Sequence, residues 1–424
     1  MHAGGSAAIR NSFRKKIIPI LRKEGSMKRY FPLGVVFSFL LLFLPLSVSA
    51  QTSGGKVLTM GVSASLTGPA SYLGWHDKHG TILGAEEVNE RGGVTLKGEK
   101  YRLELELFDN ETKPAKAVEG MRMFAEKGIH VCAGPQLTAL AYAVMKFNEE
   151  LKVLFASYNT TPEVWEQGNK LILSGTMNQK WSIGLAAYTA SKILNLKRAA
   201  QLLDTTGHGR SVEKNFAANF KKFGGEVIAV EWYDLNSTDF YPQLTRLKGK
   251  NPEAIMFGGM SAEAVTLIRQ SREILGKKVL LIGSDYFKMD QLKKAGLDIS
   301  ENTLLPLSGF HIIDSQARHD FAKKFNERFK AVPETYAAIA RDEILWLSRA
   351  VEIAGTSTDV FKIREAADRA MAELESQGRL IGGAHGGFLP NGQAKKYLIS
   401  SNILQDGKLV RLKTITQLKE IGLE

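Results

Sequence analysis

The chain has 424 residues, 44% of them hydrophobic and 24% charged, which suits a folded protein of two or three globular units. Its formal charge of +12 is unevenly placed: residues 1–50 carry eight Lys/Arg against one acid, Glu24, so the remainder carries only +5. No basic stripe interleaved with aromatics follows, which argues against nucleic-acid binding, and a single cysteine, Cys132, rules out an internal disulfide framework.

The first element in chain order is an export segment. MKRYFPLGVVFSFLLLFLPLSVSAQ, Met27 to Gln51, has a charged start at Lys28 and Arg29, an apolar run, a helix break at Pro45 and the small residues Val48-Ser49-Ala50. That is the layout of a secretory signal peptide, 27–50, cleaved near Ala50-Gln51, and it directs the chain to the periplasm. The apolar run is just long enough to span a membrane, yet it ends in a cleavable site rather than in stop-transfer charges. No cysteine stands there to take a lipid. Residues 1–26 are an N-terminal extension, and translation is expected to start at Met27. A gene lacking a purine-rich ribosome-binding run ahead of that codon would contradict this.

After residue 55 the pattern repeats. KVLTMGVSASL (56–66) predicts an apolar strand, and HGTILGAEEVNERGG (79–93) has helical spacing. YRLELELFDNE (101–111) alternates Leu103, Leu105 and Leu107 with Glu104 and Glu106, a strand with one wetter face. A helix from Pro114 to Lys127, the strand HVCAG, a helix from Thr138 to Glu150 and the strand KVLFAS (152–157) come next. The alternation then restarts with a helix from Trp181 to Leu194. Strands are predicted at RAAQLLD (198–204), EVIAVEWYDL (226–235), PEAIMFGG (252–259) and KVLLIGSD (278–285). Three helical stretches occupy 320–376, and short strands with turns at Asn391-Gly392 and Asp406-Gly407 end the chain.

Strands alternating with helices of ten to fifteen residues predict βαβ units, hence an α/β fold with parallel sheets. Two such units side by side turn the carboxyl ends of their strands toward a shared crevice, where α/β sheets bind ligands. The loops GPQLT (134–138), SYNTT (157–161), DTTGHG (204–209) and GGMS (258–261), and the acid Asp285, each directly follow a strand.

Those loops resemble the periplasmic binding proteins of branched-chain amino acid ABC transporters, the leucine/isoleucine/valine-binding type. The markers are SLTGPASYLG (65–74), GAEEVNERGG (84–93), FDNETKP (108–114), CAGPQLTA (132–139), TTPEV (160–164) and STDFYPQLTRLKGKNPEAIMFGG (237–259), in that order. The resemblance implies two Rossmann-like lobes joined by a three-crossover hinge, a type I binding-protein fold. Lobe 1 would take residues 56–175 and 307–386, and lobe 2 residues 176–306 and 387–424. The crossovers would lie near Ser174–Met177, Pro306–Ser308 and Gly386–Phe388.

It further implies a monomeric solute-binding component that hands a small amino-acid-like ligand to a membrane permease and ATPase complex, with no cofactor, metal or catalysis. Thr138, Ala139, Tyr158 and Thr160 would grip the ligand's α-carboxylate. Free backbone N–H groups at helix starts beside a Thr hydroxyl make an anion site in any case. A capping box between Thr160 and Glu163 is the structural alternative. Asp285 would hold the α-ammonium, its alternative being an N-cap for a helix starting near Tyr286.

The chain departs from the leucine-type pattern at His208 and Met260, where that protein has tyrosines, and at Tyr158, where it has alanine. Trp75 could also line the cleft. These changes leave open an amide-, urea- or aromatic-acid-binding protein, or a ligand sensor. A nicotinamide enzyme fits poorly, because GHG (207–209) is followed by Val212 where the third glycine should stand. No Gly-x-Ser-x-Gly elbow marks a hydrolase.

Overall fold

The computed structural model describes residues 55–235, 237–259, 263–284 and 287–423. The expected signal peptide lies outside them, as do Met260 and Asp285.

Six strands form the first sheet: β1 (Lys56–Ala64), β2 (Val94–Leu96), β3 (Glu99–Asp109), β4 (Val131–Ala133), β5 (Leu154–Ala156) and β6 (Ile172–Leu173). Their order is β2-β3-β1-β4-β5-β6, parallel throughout except that β2 runs antiparallel to β3. β1 is central and buried on both faces from Met60 onward, which is why MGVSA reads as an unbroken apolar and small-residue run. In β3 the alternation is buried only at Leu103. Leu107 is 37% exposed, because the short β2 covers just the start of that strand.

The second sheet takes β7 (Arg198–Asp204), β8 (Glu226–Tyr233), β9 (Ala254–Gly258), β10 (Leu280–Ile282) and β11 (Thr303–Ser308). After the hairpin β12 (Ala384–Phe388) and β13 (Ala394–Tyr397), the sheet is completed by β14 (Ile399–Gln405) and β15 (Lys408–Ile415). The order is β15-β14-β11-β10-β9-β7-β8, with β14 and β15 antiparallel. Buried aromatics fill the layer between this sheet and its outer helices, among them Phe240, Phe257 and Phe287, the last two stacked at 5.6 Å.

The chain passes between the sheets in three places. It leaves β6 at Leu173 and starts the helix Gln179–Tyr188; it leaves β11 at Ser308; and it enters β14 at Ile399. Gly386–Phe388, where the sequence places the third crossing, belong to β12. That hairpin stays against the first sheet, where Ser174 donates its N–H to the Gly392 carbonyl at 2.8 Å.

Two long helices, Ser71–Glu90 and Thr335–Ala354, cover one face of the first sheet and cross closely at Gly80. A Cβ there would stand 2.2 Å from the Ala337 carbonyl oxygen, so only glycine permits the approach. A buried ionic cluster locks the same pair. Arg341, whose side chain is 4% exposed, donates to Glu87 through Nε at 3.0 Å, and Arg379 donates to the other Glu87 oxygen through Nη2 at 3.0 Å. Asp342 accepts the N–H groups of Ile381 and Gly382, both at 2.7 Å, which fixes the segment entering β12.

Candidate ligand-binding cleft

Each loop on the crevice side of the first sheet begins where a strand runs out. Gly134 follows β4 with φ +77°, and a Cβ there would stand 2.1 Å from the Ser63 carbonyl oxygen. Glycine therefore lets the chain turn sharply against β1 and start the helix Thr138–Met145 at the sheet edge. The loop after β5 is pinned beside it by side chains. Ser157 Oγ donates to the Pro135 carbonyl at 2.9 Å, and the Tyr158 N–H donates to Gln136 Oε1 at 2.6 Å.

These loops meet the second sheet around a small cavity of about 40 Å³. Gln136, Thr138, Tyr158, Asn159 and Thr160 line it from the first sheet, and Thr176 and Met177 from the first crossing. Lys288 and Ser308 come from the second sheet's loops, Thr335, Tyr336 and Ile339 from the start of the long helix, and Tyr397 from the third crossing. That volume holds a few waters, so a larger guest needs the walls to part. A cavity of 400 Å³ lies at the opposite end of the first sheet, around Val57, Met60 and Lys127. It sits at the start of β1 and β4, away from the loops at the carboxyl ends of the strands, where α/β folds bind ligands.

The predicted site residues fare differently. Thr160 lines the cavity, and neither its N–H nor its hydroxyl has a partner among the described residues, while its carbonyl accepts the Gln179 N–H at 2.5 Å. The neighbouring helix, Pro162–Trp165, is capped by Thr161 without a side-chain bond, so no Thr160–Glu163 capping box forms. Thr138 also lines the cavity, its hydroxyl 2.8 Å from that of Thr161. It opens a helix whose first intrahelical donor to Leu137 is Ala141, which leaves the amides of 138–140 pointing out of the helix start. Ala139 itself is exposed and is not part of the lining.

Tyr158 lines the cavity as a wall rather than as an amide donor, because Gln136 already occupies its N–H. Its ring lies 5.4 Å from that of Tyr336, and its hydroxyl donates to Asp77 Oδ1 at 2.6 Å. Two positions are corrected. Trp75 packs against His79, Phe325 and Phe329, at 4.2, 5.7 and 6.3 Å between ring centres, in an aromatic cluster away from the cavity. His208 is buried at the start of the helix Gly207–Lys222, 3.9 Å from Asp204, and is not part of the lining either. The helix expected to start near Tyr286 begins at Met289, with Lys288 preceding it.

Behind the wall lie two buried carboxyls. Burial pushes Asp77 up to about 8, against the opposing hydrogen bond from Tyr158. Burial likewise holds Glu343 well above the usual carboxylate range, although Gln136 Nε2 donates to it at 3.1 Å. Near neutral pH Asp77 is therefore largely uncharged, and Glu343 is shifted in the same direction. Among the described residues of the lining, Lys288 is the one of charged type.

Gln136, Lys288, Thr335, Tyr336 and Tyr397 were not singled out from the sequence. Gln136 stands inside a loop that was, so an amide facing a helix start was a usable signal. Nothing local marks Tyr336 or Tyr397, which reach the cavity only because the chain crosses between sheets.

The family model for periplasmic binding proteins matches residues 57–408. The chain belongs to the periplasmic binding protein family. Among its relatives, a Leu/Ile/Val-binding protein of Rhizobium johnstonii is 27% identical over 248 residues, 58% of this chain and 66% of that one. The Leu/Ile/Val-binding protein homolog 3 of Brucella melitensis is 25% identical over 313 residues, 73% of this chain and 82% of that one.

Solved structures agree on the fold. The branched-chain amino acid transporter substrate-binding protein LivJ of Streptococcus pneumoniae, in complex with isoleucine, superposes with a TM-score of 0.74 at 21% identity, over 85% of this chain and 100% of that one. An ABC transporter solute-binding protein of R. palustris in complex with benzoate gives 0.68 at 19%, over 85% and 96%. This periplasmic binding protein thus has the two-lobed α/β architecture of the type I members, and its family is one of substrate-binding proteins.

Proposed function

We propose that this periplasmic binding protein is the solute-binding component of an ABC importer. It captures a small amino acid or analogue between the lobes and delivers it to a membrane permease with its ATPase. The observation that carries this reading is Thr160, which lines a two-sided cavity beside the helix start at Thr138 and whose N–H and hydroxyl have no partner among the described residues. Such a pair of donors suits a carboxylate. We place the lobes' hinge at the three crossings, near Ser174–Met177, at Ser308 and before Ile399. A ligand touching both lobes favours the closed form by its differential affinity for the two states.

In this reading residues 27–50 are removed on export and the mature chain works in the periplasm as a monomer. A thermal-shift screen of the exported form against amino acids, carboxylic acids, amides and urea tests it. A carboxylate ligand should raise the melting temperature. Thr160→Val should weaken its binding about tenfold or more, the loss of a hydrogen bond to a charged group, with the unliganded melting temperature nearly unchanged. Unchanged affinity in the variant would remove Thr160 from the site.

A further inference from the structure

Tyr158 lines the cavity yet is only 6% exposed, and it is held at three points. Its N–H donates to Gln136 Oε1 at 2.6 Å, and its hydroxyl donates to Asp77 Oδ1 at 2.6 Å. Its ring packs with Leu73, Tyr336 and Ile339, 5.4 Å from the centre of the Tyr336 ring. The hydroxyl is the far end of the side chain, so its bond to a buried acid fixes the direction of the ring as well as its place. Swinging the ring aside would leave the hydroxyl and Asp77 without each other inside the protein, which opposes any such movement.

Every one of these anchors belongs to the first sheet and the helices on it. Leu73 and Asp77 lie on Ser71–Glu90, Tyr336 and Ile339 on Thr335–Ala354, and Gln136 in the loop after β4. The two helices are locked to each other at Gly80 and through Glu87 and Arg341. Parting the lobes draws the second sheet's residues away but leaves the Tyr158 ring where it stands. The cavity beside it, about 40 Å³, has room for only a few heavy atoms.

We infer that Tyr158, positioned by Asp77, sets the size of the solute: beyond its polar head the cleft takes a body no larger than a methyl or ethyl group, and it turns away branched and ring-bearing bodies. This rests on the reading of the cleft as the solute site and is independent of the charge of the head group. A longer body on the first-lobe side meets a ring that cannot yield without breaking its bond to Asp77. Truncating Tyr158 would join the ring's space to the cavity, and a dry pocket of about 150 Å³ is enough to hold benzene.

The test is calorimetry on the exported form with two length series. One is glycine, alanine, leucine and phenylalanine; the other is acetate, propanoate, 4-methylpentanoate and 3-phenylpropanoate. In the series that binds, the short members should bind at least about tenfold more tightly than the long ones, the lower end of what one methylene can do in a fitted pocket. Tyr158→Ala should raise the affinity for leucine or 4-methylpentanoate about tenfold or more. Asp77→Leu, which cannot accept from the hydroxyl, should shrink the short-to-long ratio to about threefold or less, and the conservative Asp77→Asn should restore it. A purely structural role for Asp77 would lower the melting temperature and leave that ratio alone. Should Tyr158→Ala fail to fold, the two Asp77 variants carry the test.

Long members binding the parent as tightly as short ones, or an unchanged ratio in Tyr158→Ala or Asp77→Leu, would overturn the inference and leave the solute-binding reading intact. If neither series binds while amides do, the carboxylate reading of the site falls, and acetamide against 4-methylpentanamide puts the size limit to the same trial.

Discussion

Replacing Glu87 with alanine should lower the unfolding free energy by about 1.5–3 kcal/mol, the worth of a hydrogen bond to a charged group, since Asp342 still pairs with Arg341. Glu87 is shared by Arg341 and Arg379, and their charges outweigh burial to hold its carboxyl below the usual range. With the acid gone, the Arg341 guanidinium keeps only Asp342 and the Arg379 carbonyl, 2.7 Å away. Denaturant titration would read the loss as a lower midpoint at constant slope. The exposed pair Lys56–Glu99 is the internal control, since screening by water leaves such pairs nearly without effect. A loss at Glu87 below about 1 kcal/mol would mean that water reaches Arg341 freely.

The second large effect is a pH dependence centred on Asp77. Its folded pKa is about 8, raised by burial, whereas an unfolded aspartate titrates near about 3.9. Between those values the folded chain keeps a proton that the unfolded chain has released. Stability therefore falls as pH rises from about 4 to about 8, and Glu343, raised in the same direction, adds to the fall. Asp77→Asn keeps an acceptor for the Tyr158 hydroxyl and cannot ionise. Its gain over the parent should be near zero at pH 4 and reach about 2–5 kcal/mol by pH 9. Parallel stability curves for parent and variant across that range would show Asp77 to be ionised in the folded protein.

Much of this architecture was legible because strand and helix periods differ. The apolar run from Lys56 and the alternation from Tyr101 became β1 and β3, paired in parallel with Val62 opposite Leu107. The cleft loops were legible for a related reason: a polar loop directly after a buried strand must emerge at a sheet edge. Thr138 and Thr160 themselves were singled out by the family resemblance, whereas the loops that hold them followed from that rule.

Trp75 did not, because helical spacing cannot say which face of a helix end meets the cleft. Its partners Phe325 and Phe329 lie some 250 residues away in the chain. Lys288 was hidden for another reason. The helix behind it starts at Met289, three residues later than the local pattern suggested, and that leaves Lys288 ahead of the helix, where it lines the cavity. The third crossing was misplaced because the turn at Asn391-Gly392 closes a hairpin before the chain changes sheets.

Three of the cavity's walls, Met177, Ser308 and Tyr397, stand at the crossings between the sheets, where we propose the hinge. A guest lodged there pushes close to the fulcrum, where a slight displacement swings the distant rims through a much wider arc. In the proposed importer, the outer faces that a membrane complex would feel would thus register a small molecule held beside the crossings.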